Sequence, residues 1–353
     1  MKRILIVTES LGIDGPERVI SVLAPKWREM GCDITIFLTN PQNHEQTYQI
    51  SPQIRIEKMD SSGLKPLKLL KDAFIIRRYL SSNPDAVGVS LMLAPSFSLA
   101  IAGIGLKNKI VLSERNDPHK VPFKWIQRKM RDLSLWLADV VVFQTEDAKK
   151  YFCKKTRSKG TIILNPINPT LPEPYQGARK KEFVAVGRLA KQKNFPLLIN
   201  AFKEFTNTFK NYKLTIYGEG PEREMLQALI DNLGLTDKVN MPGFATNVYE
   251  KIVDSTAYIS SSDFEGMSNS MLEAMCMGIP VICTDCPIGG ARQVINNREN
   301  GFLVPTGNVG AMSTAMFEIV GNPGTASQVA ERAAELRDNL NVNSISRQWL
   351  ELM

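Results

Sequence analysis

Histidine and cysteine are scarce in this chain. Two histidines (His44, His119) and five cysteines (Cys32, Cys153, Cys276, Cys283, Cys286) are spread over 353 residues. That supply builds no disulfide framework. Cys283-Thr-Asp-Cys286 has the spacing of a metal or redox pair, but no second such pair joins it, and a buried, inert pair is expected. Asp-x-Asp does not occur, so no metal clamp on a diphosphate is expected, and no cofactor. Gly-x-Gly-x-x-Gly is missing from the first strand-to-helix turn, which removes the dinucleotide fingerprint. Long apolar runs are missing too. Ser98 to Leu106 is far short of a membrane span and contains two glycines. Met1-Lys2-Arg3 before Ile4–Val7 looks like a signal-peptide start, but the run is too short, and a first buried strand is the better reading. A cytoplasmic protein is expected.

Apolar residues (43%) and charged residues (22%) are in ordinary globular proportion. The length favours two domains. Charge is uneven: residues 1–165 hold 26 Lys+Arg and 16 Asp+Glu, a balance of +10, and the remainder holds 17 and 20, a balance of −3. A basic first half suits an anionic partner, whether phospholipid surface, polyanionic substrate or nucleic acid; a merely solvated surface is the other reading. No recognised nucleic-acid motif accompanies it, so nucleic acid is not expected as a partner.

Short Val/Ile/Leu-rich runs alternate with amphipathic stretches, which predicts parallel, doubly wound sheets. Expected strands are Ile4–Thr8, Asp33–Leu38, Ala86–Leu91, Lys109–Ser113, Val140–Gln144 and Thr161–Leu164. Four prolines between Asn165 and Pro174 break the pattern. A second strand–helix series starts at Phe183–Val186. The expected organisation is an N-terminal Rossmann-like domain at 1–165, a linker at 166–181 and a C-terminal Rossmann-like domain at 182–336. A C-terminal helix at 337–353 is expected to pack back toward the first domain, with a cleft between the two domains.

Several turns lie where such folds bind ligands. The first βα turn carries Gly12, Gly15 and Pro16, suited to tight backbone and a helix start, though an ordinary turn explains it equally. Beyond Gly187 stand Arg188 and Lys193, a fork and a point charge able to clamp a diphosphate, or simply solvated cations. Tyr217-Gly218-Glu219-Gly220-Pro221 and Pro242-Gly243-Phe244 let backbone approach a ring or phosphate. Gly289-Gly290 is expected to open a helix whose N-terminus would attract an anion. The sharpest pattern is Glu265-Gly266-Met267-Ser268-Asn269-Ser270-Met271-Leu272-Glu273-Ala274. Its two glutamates are eight positions apart, and on a helix or at its mouth they would face one side.

In this order these motifs resemble the retaining family-4 glycosyltransferases with the GT-B fold, most strongly from Val186 to Pro305. The Gly15-Pro16-Glu17-Arg18 turn is similar to that family's Gly-Gly-Ala-Glu-Arg loop. The resemblance implies an α/β, GT-B architecture of two doubly wound domains and a sugar donor carried on a nucleotide diphosphate, expected to be UDP. It implies that Arg188 and Lys193 hold the diphosphate, Glu273 the ribose hydroxyls, and Glu265 the donor sugar and reacting centre. Met267, Ser268 and Asn269 would offer donors to sugar and phosphate. Backbone at Gly187, Gly218 and Gly243 would border the nucleotide, with Gly15 approaching the diphosphate. Three departures stand out: Asp14 and Pro16 in the first loop, Gln293 where many members have glutamate, and Ser113-Glu114-Arg115-Asn116 where many place a histidine. This last variant resembles members that build bacterial surface polysaccharides on lipid carriers. There Glu114, Arg115 and Asn116 would line the acceptor side, with His119 a bystander.

Basic residues beside aromatics around Lys120–Arg131, and Lys65, Lys68, Lys71, Arg77 and Arg78 among Leu67, Leu69, Leu70 and Phe74, suit an anionic bilayer; core helices with a wetted rim are the alternative. The reading is a metal-independent hexosyltransferase that moves an α-retained sugar to a growing glycan, expected to be polyprenyl-diphosphate-linked. An anionic membrane surface is a candidate partner. The competing readings are a UDP-sugar epimerase or phosphorylase of the same architecture, and a non-catalytic sugar-nucleotide-binding subunit of an assembly complex.

Overall fold

The computed structural model describes residues 1–12, 15–40, 50–59 and 65–353, with backbone alone at 65 and 66. Asp14, His44 and the Lys65 side chain lie outside the described residues. The chain divides into two compact units, Met1–Pro166 with Leu340–Met353, and Ile167–Asn339.

The first unit carries seven strands: β1 Arg3–Thr8, β2 Asp33–Leu38, β3 Arg55–Lys58, β4 Ala86–Ser90, β5 Ile110–Ser113, β6 Val140–Phe143 and β7 Gly160–Ile162. They form one sheet in the order β3-β2-β1-β4-β5-β6-β7, and every pairing is parallel. β1, β4 and β5 are almost wholly buried, as strands covered on both faces must be. β3 was not expected from the sequence. It is a largely exposed edge strand reading Arg-Ile-Glu-Lys, and its charges protect the edge while hiding the strand pattern.

Helix Leu93–Gly103 was not expected either. It is apolar nearly all round, so it lacks helical periodicity. It packs against both Lys65–Ser82 and Trp125–Leu137. Gly88 admits it closely, since a Cβ there would stand 2.8 Å from Leu99 Cδ1. Glu146–Tyr151 and Lys154–Ser158 form two separate short helices after β6. The last helix, Val342–Glu351, belongs to this unit. Its buried Trp349 ring lies 6.0 Å from that of Trp27 on helix Gly15–Glu29.

The second unit carries β8 Lys180–Val186, β9 Lys213–Tyr217, β10 Val239–Gly243, β11 Ser255–Ser260, β12 Val281–Thr284 and β13 Phe302–Val304. Their order is β10-β9-β8-β11-β12-β13, again all parallel. Phe183, Phe202 and Phe205 are fully buried at its centre, with Phe183 and Phe205 edge to face at 5.1 Å. Each such side chain contributes about 2–3 kcal/mol through burial. Strand order reverses between β8 and β11. Connections leave to opposite sides there, and ligands bind in the crevice at the strands' carboxyl ends.

Candidate active site

Two loops meet at the β8/β11 reversal. The first runs from Gly187 to Asn194; the second runs from Ser261 to Ser268 and leads into helix Asn269–Cys276. They are tied by backbone and side chain: Ser261 Oγ donates to Lys193 O (2.8 Å), Asp263 N to Gln192 O (2.9 Å), and Asn194 Nδ2 to Asp263 Oδ1 (2.6 Å). Asn194 also caps helix Phe195–Thr206 from a left-handed backbone (φ 42°), a conformation asparagine tolerates.

Within this frame Lys193 Nζ donates to Glu265 Oε2 at 2.5 Å. Ser262 Oγ donates to the same oxygen at 3.2 Å, and Gln192 Nε2 reaches Oε1 at 3.5 Å while donating to Phe264 O at 2.9 Å. Both charged side chains are about one-fifth exposed. The pair is therefore stronger than a surface ion pair, although lost hydration offsets part of the gain. Glu265 lies in the loop, four residues before Asn269, so the eight-residue interval to Glu273 is not a helical repeat. Arg188 follows Gly187 and is exposed, with no hydrogen-bond or ion-pair partner among the described residues.

Glu273 sits buried on the wall of helix Asn269–Cys276, where Tyr249 Oη donates to its Oε1 at 3.1 Å. Nothing in the sequence pattern singled out Tyr249. It comes from the five-residue helix Val248–Ile252, too short for a periodic signal. Met267 and Ser268 are buried, and Ser268 Oγ is committed to capping the helix by accepting from Met271 N at 3.4 Å. Asn269 is its first residue. Ser270 Oγ and Tyr258 Oη stand 2.8 Å apart, and burial pushes the Tyr258 phenol far up, so it stays neutral.

Glycines bring backbone together around this point. Gly218 (φ +143°) lies so close to Gly187 that a Cβ would strike the Gly187 carbonyl oxygen, and its N–H donates to Gly243 O at 2.9 Å. A Cβ on Gly290 would likewise strike the Gly266 carbonyl, beside Glu265. The helix expected after Gly289-Gly290 does not form; residues 287–294 are turns, with positive φ at Ile288 (74°) and Gly289 (68°). The expected helix dipole is therefore not there to attract an anion. Cys283 and Cys286 are buried free thiols, both raised by burial, Cys286 to about 11.

In the first unit, Gly15 is the exposed first residue of its helix. Glu114, Arg115 and Asn116 follow β5 at the carboxyl edge of the sheet. Glu114 accepts from the backbone N–H groups of Arg115 and Asn116 at 3.0 Å and lies 3.7 Å from Arg131; burial raises its carboxyl to about 7 against the pull of Arg131. Exposed His119 packs edge-on to Tyr151 at 4.6 Å. Helix Trp125–Leu137 carries part of the basic cluster around Lys120–Arg131. Arg131 is buried and donates to Pro118 O and Val121 O, and Arg128 donates to Pro122 O, so the two do not share a free cationic face with Lys124. Among the described residues no helix is long and apolar enough to cross a membrane.

Two doubly wound α/β units of this kind make the GT-B fold of glycosyltransferases. Among solved structures, Anabaena Alr3699/HepE, crystallised with UDP-glucose, has that likeness of fold: TM-score 0.85 at 18% identity, covering 99% of this chain and 98% of that one. The family description Glycosyltransferase Family 4 matches residues 13–171, and Glycosyl transferases group 1 matches residues 173–336. A Campylobacter jejuni relative named N-acetylgalactosamine-N,N'-diacetylbacillosaminyl-diphospho-undecaprenol 4-alpha-N-acetylgalactosaminyltransferase is 30% identical over 336 residues, 88% of each chain. An uncharacterized glycosyltransferase of Haemophilus influenzae is 24% identical over 355 residues, 99% of each chain. The chain belongs to the family-4 glycosyltransferases.

Proposed function

We propose that this glycosyltransferase moves a sugar from a UDP-linked donor, with α-configuration retained, to a polyprenyl-diphosphate-linked glycan of a bacterial surface polysaccharide. The observation that carries the reading is the Lys193–Glu265 pair at the β8/β11 reversal. The second unit takes the donor. Lys193 and exposed Arg188 receive the diphosphate and stabilise its departure as negative charge grows there. Each such preplaced cation supplies roughly 3 kcal/mol by analogy with oxyanion donors. Glu265 faces the sugar, and Glu273, steadied by Tyr249, accepts hydrogen bonds from ribose hydroxyls. The UDP assignment is supported by the Anabaena neighbour's ligand, and the lipid-linked acceptor by the Campylobacter relative's name.

Two further parts of the reading stand on the chain's own residues. Transfer needs no metal, in keeping with a sequence that lacks Asp-x-Asp and puts cations at the loop expected to meet phosphate. The first unit takes the acceptor at an anionic membrane surface, in keeping with exposed Leu67, Leu70 and Phe74 on one helix stripe and exposed Phe123, Trp125 and Ile126 near the start of another. Exposed Lys71, Arg78, Lys124 and Lys129 are interspersed with them.

The test is product analysis with a set of UDP-sugars, a polyprenyl-diphosphate-linked acceptor and EDTA. An α-linked product formed only with acceptor, undiminished by EDTA, is expected. A β-linked product, or sugar interconversion without acceptor, would overturn the reading.

A further inference from the structure

Arg115 differs from the other arginines held inside this protein. Arg131 spends its guanidinium on Pro118 O, Val121 O and Asp132. Arg179 spends its own on Ser255 O and Gly278 O, and Arg337 on Leu171 O, Pro172 O and Glu173. Among the described residues the Arg115 guanidinium makes one hydrogen bond, from Nη1 to Asn165 Oδ1, an oxygen that also accepts from Gln144 Nε2 at 2.7 Å. Its Nε and Nη2 are both buried, with no hydrogen-bond partner among the described residues. The neighbouring Glu114 does not neutralise it, since that carboxylate is turned to its own backbone and to Arg131. The guanidinium carbon lies 5.5 Å from the centroid of the Trp349 ring.

Leaving charged donors buried and unpaired is costly, because their lost hydration is not replaced. The cost is localised. Arg115 follows β5, Gln144 follows β6 and Asn165 follows β7, so three strand ends at the carboxyl edge of the sheet hold one guanidinium by one corner. The corner left over is the Nε/Nη2 edge, whose two N–H groups point the same way and match two oxygens of one phosphate or carboxylate. Burial lowers this guanidinium to about 9, so it still carries its charge at neutral pH.

We infer that Arg115 receives an anionic group of the acceptor, a phosphate or a carboxylate, on the free Nε/Nη2 edge of its guanidinium. This rests on the reading that the first unit takes the acceptor. The Trp349 indole, 5.5 Å from the guanidinium carbon, is placed to report an anion bound there.

The experiment is a fluorescence titration of the whole chain with inorganic pyrophosphate and, separately, succinate. Lys193→Ala accompanies it, to separate any signal from the donor side. A saturable change is expected that disappears in Trp349→Phe, persists in Lys193→Ala, and needs at least tenfold more anion in Arg115→Met. Arg115→Lys should recover part of the affinity, and it serves as the test if the methionine variant does not fold. Tighter pyrophosphate points to a phosphate on the acceptor, and tighter succinate to an acidic sugar. No Trp349-dependent change, or equal affinity in the Arg115 variants, would overturn the inference. Because no transfer is measured, failure here leaves the glycosyl-transfer reading to stand or fall on its own product analysis.

Discussion

Lys193 Nζ and Glu265 Oε2 stand 2.5 Å apart, and they come from loops separated by 72 residues that follow adjacent strands β8 and β11. The carboxylate neutralises the lysine. On the proposed reading, a diphosphate at Lys193 shares it with Glu265 and leaves Glu265 freer to face a sugar carrying positive charge. Lys193→Ala should lower kcat/KM by roughly 100- to 1,000-fold, the scale of removing one oxyanion donor. Glu265→Ala should lower kcat mainly, with nucleotide affinity little changed. Steady-state kinetics beside UDP binding by calorimetry decide it; unaltered kinetics in both variants would defeat the assignment.

Glu273 and Tyr249 form a separable test. Glu273→Ala should weaken nucleotide binding strongly. Tyr249→Phe removes one hydrogen bond to a carboxylate, worth about 1.5–3 kcal/mol, and should raise the Kd for UDP about tenfold or more while leaving turnover at saturating donor nearly intact. A kcat loss as large as the loss in affinity would place Tyr249 elsewhere in the reaction.

Gly218 and Gly290 are predicted to be intolerant of any side chain. Gly218→Ala combines a φ of +143° with a collision against the Gly187 carbonyl, and Gly290→Ala forces the Gly266 backbone beside Glu265 to move. Each should cost on the order of 1–3 kcal/mol and most of the activity. Gly310→Ala meets nothing nearer than Asn308 Oδ1 at 3.7 Å, at ordinary φ, and should behave like wild type in urea unfolding.

Glu114 sets a pH dependence. Its folded value of about 7 lies above the free value of 4.5, so the folded chain binds this proton more tightly than the unfolded one. Stability from this group is present at low pH and is lost as pH rises through 7. Relative to Glu114→Gln, the wild-type chain should lose on the order of 2–3 kcal/mol between about pH 5 and pH 8. Urea unfolding at several pH values checks the slope, and a flat or rising difference would contradict it.

Membrane docking is tested by flotation. The chain should float with phosphatidylglycerol-containing vesicles at low salt, and should release as salt screens Lys71, Arg78, Lys124 and Lys129. Phe74→Ser with Trp125→Ser, which are 70% and 72% exposed, should abolish binding while leaving stability within about 0.5 kcal/mol. Salt-insensitive binding, or none, removes the idea.

Much of this molecule can be read from its residues, and the exceptions have physical reasons. Buried parallel strands such as β1 and β12 announce themselves because both faces select Val, Ile and Leu. β3 escapes because a charged edge strand looks like a loop, and helix Leu93–Gly103 because apolarity all round erases its period. The loops holding Lys193 and Glu265 are legible as strand-end positions, but their direct pairing depends on strand order, which no local pattern encodes. The turn at Gly289-Gly290 misleads because a glycine pair permits a helix start and equally permits the positive φ that prevents one. Tyr249 and Arg115 are illegible for another reason: what marks them is the partner one holds and the partners the other lacks.

The pairing of Trp27 with Trp349 has a consequence for how this protein is made. The core around Trp27 waits for a ring that emerges from the ribosome more than three hundred residues later, whereas Ile167–Asn339 has all its strands in hand before then. The half translated first is completed last, and until then Trp27 lacks its cover. A released chain truncated just before Val342 should thus present a finished second unit and a greasy, chaperone-binding first one.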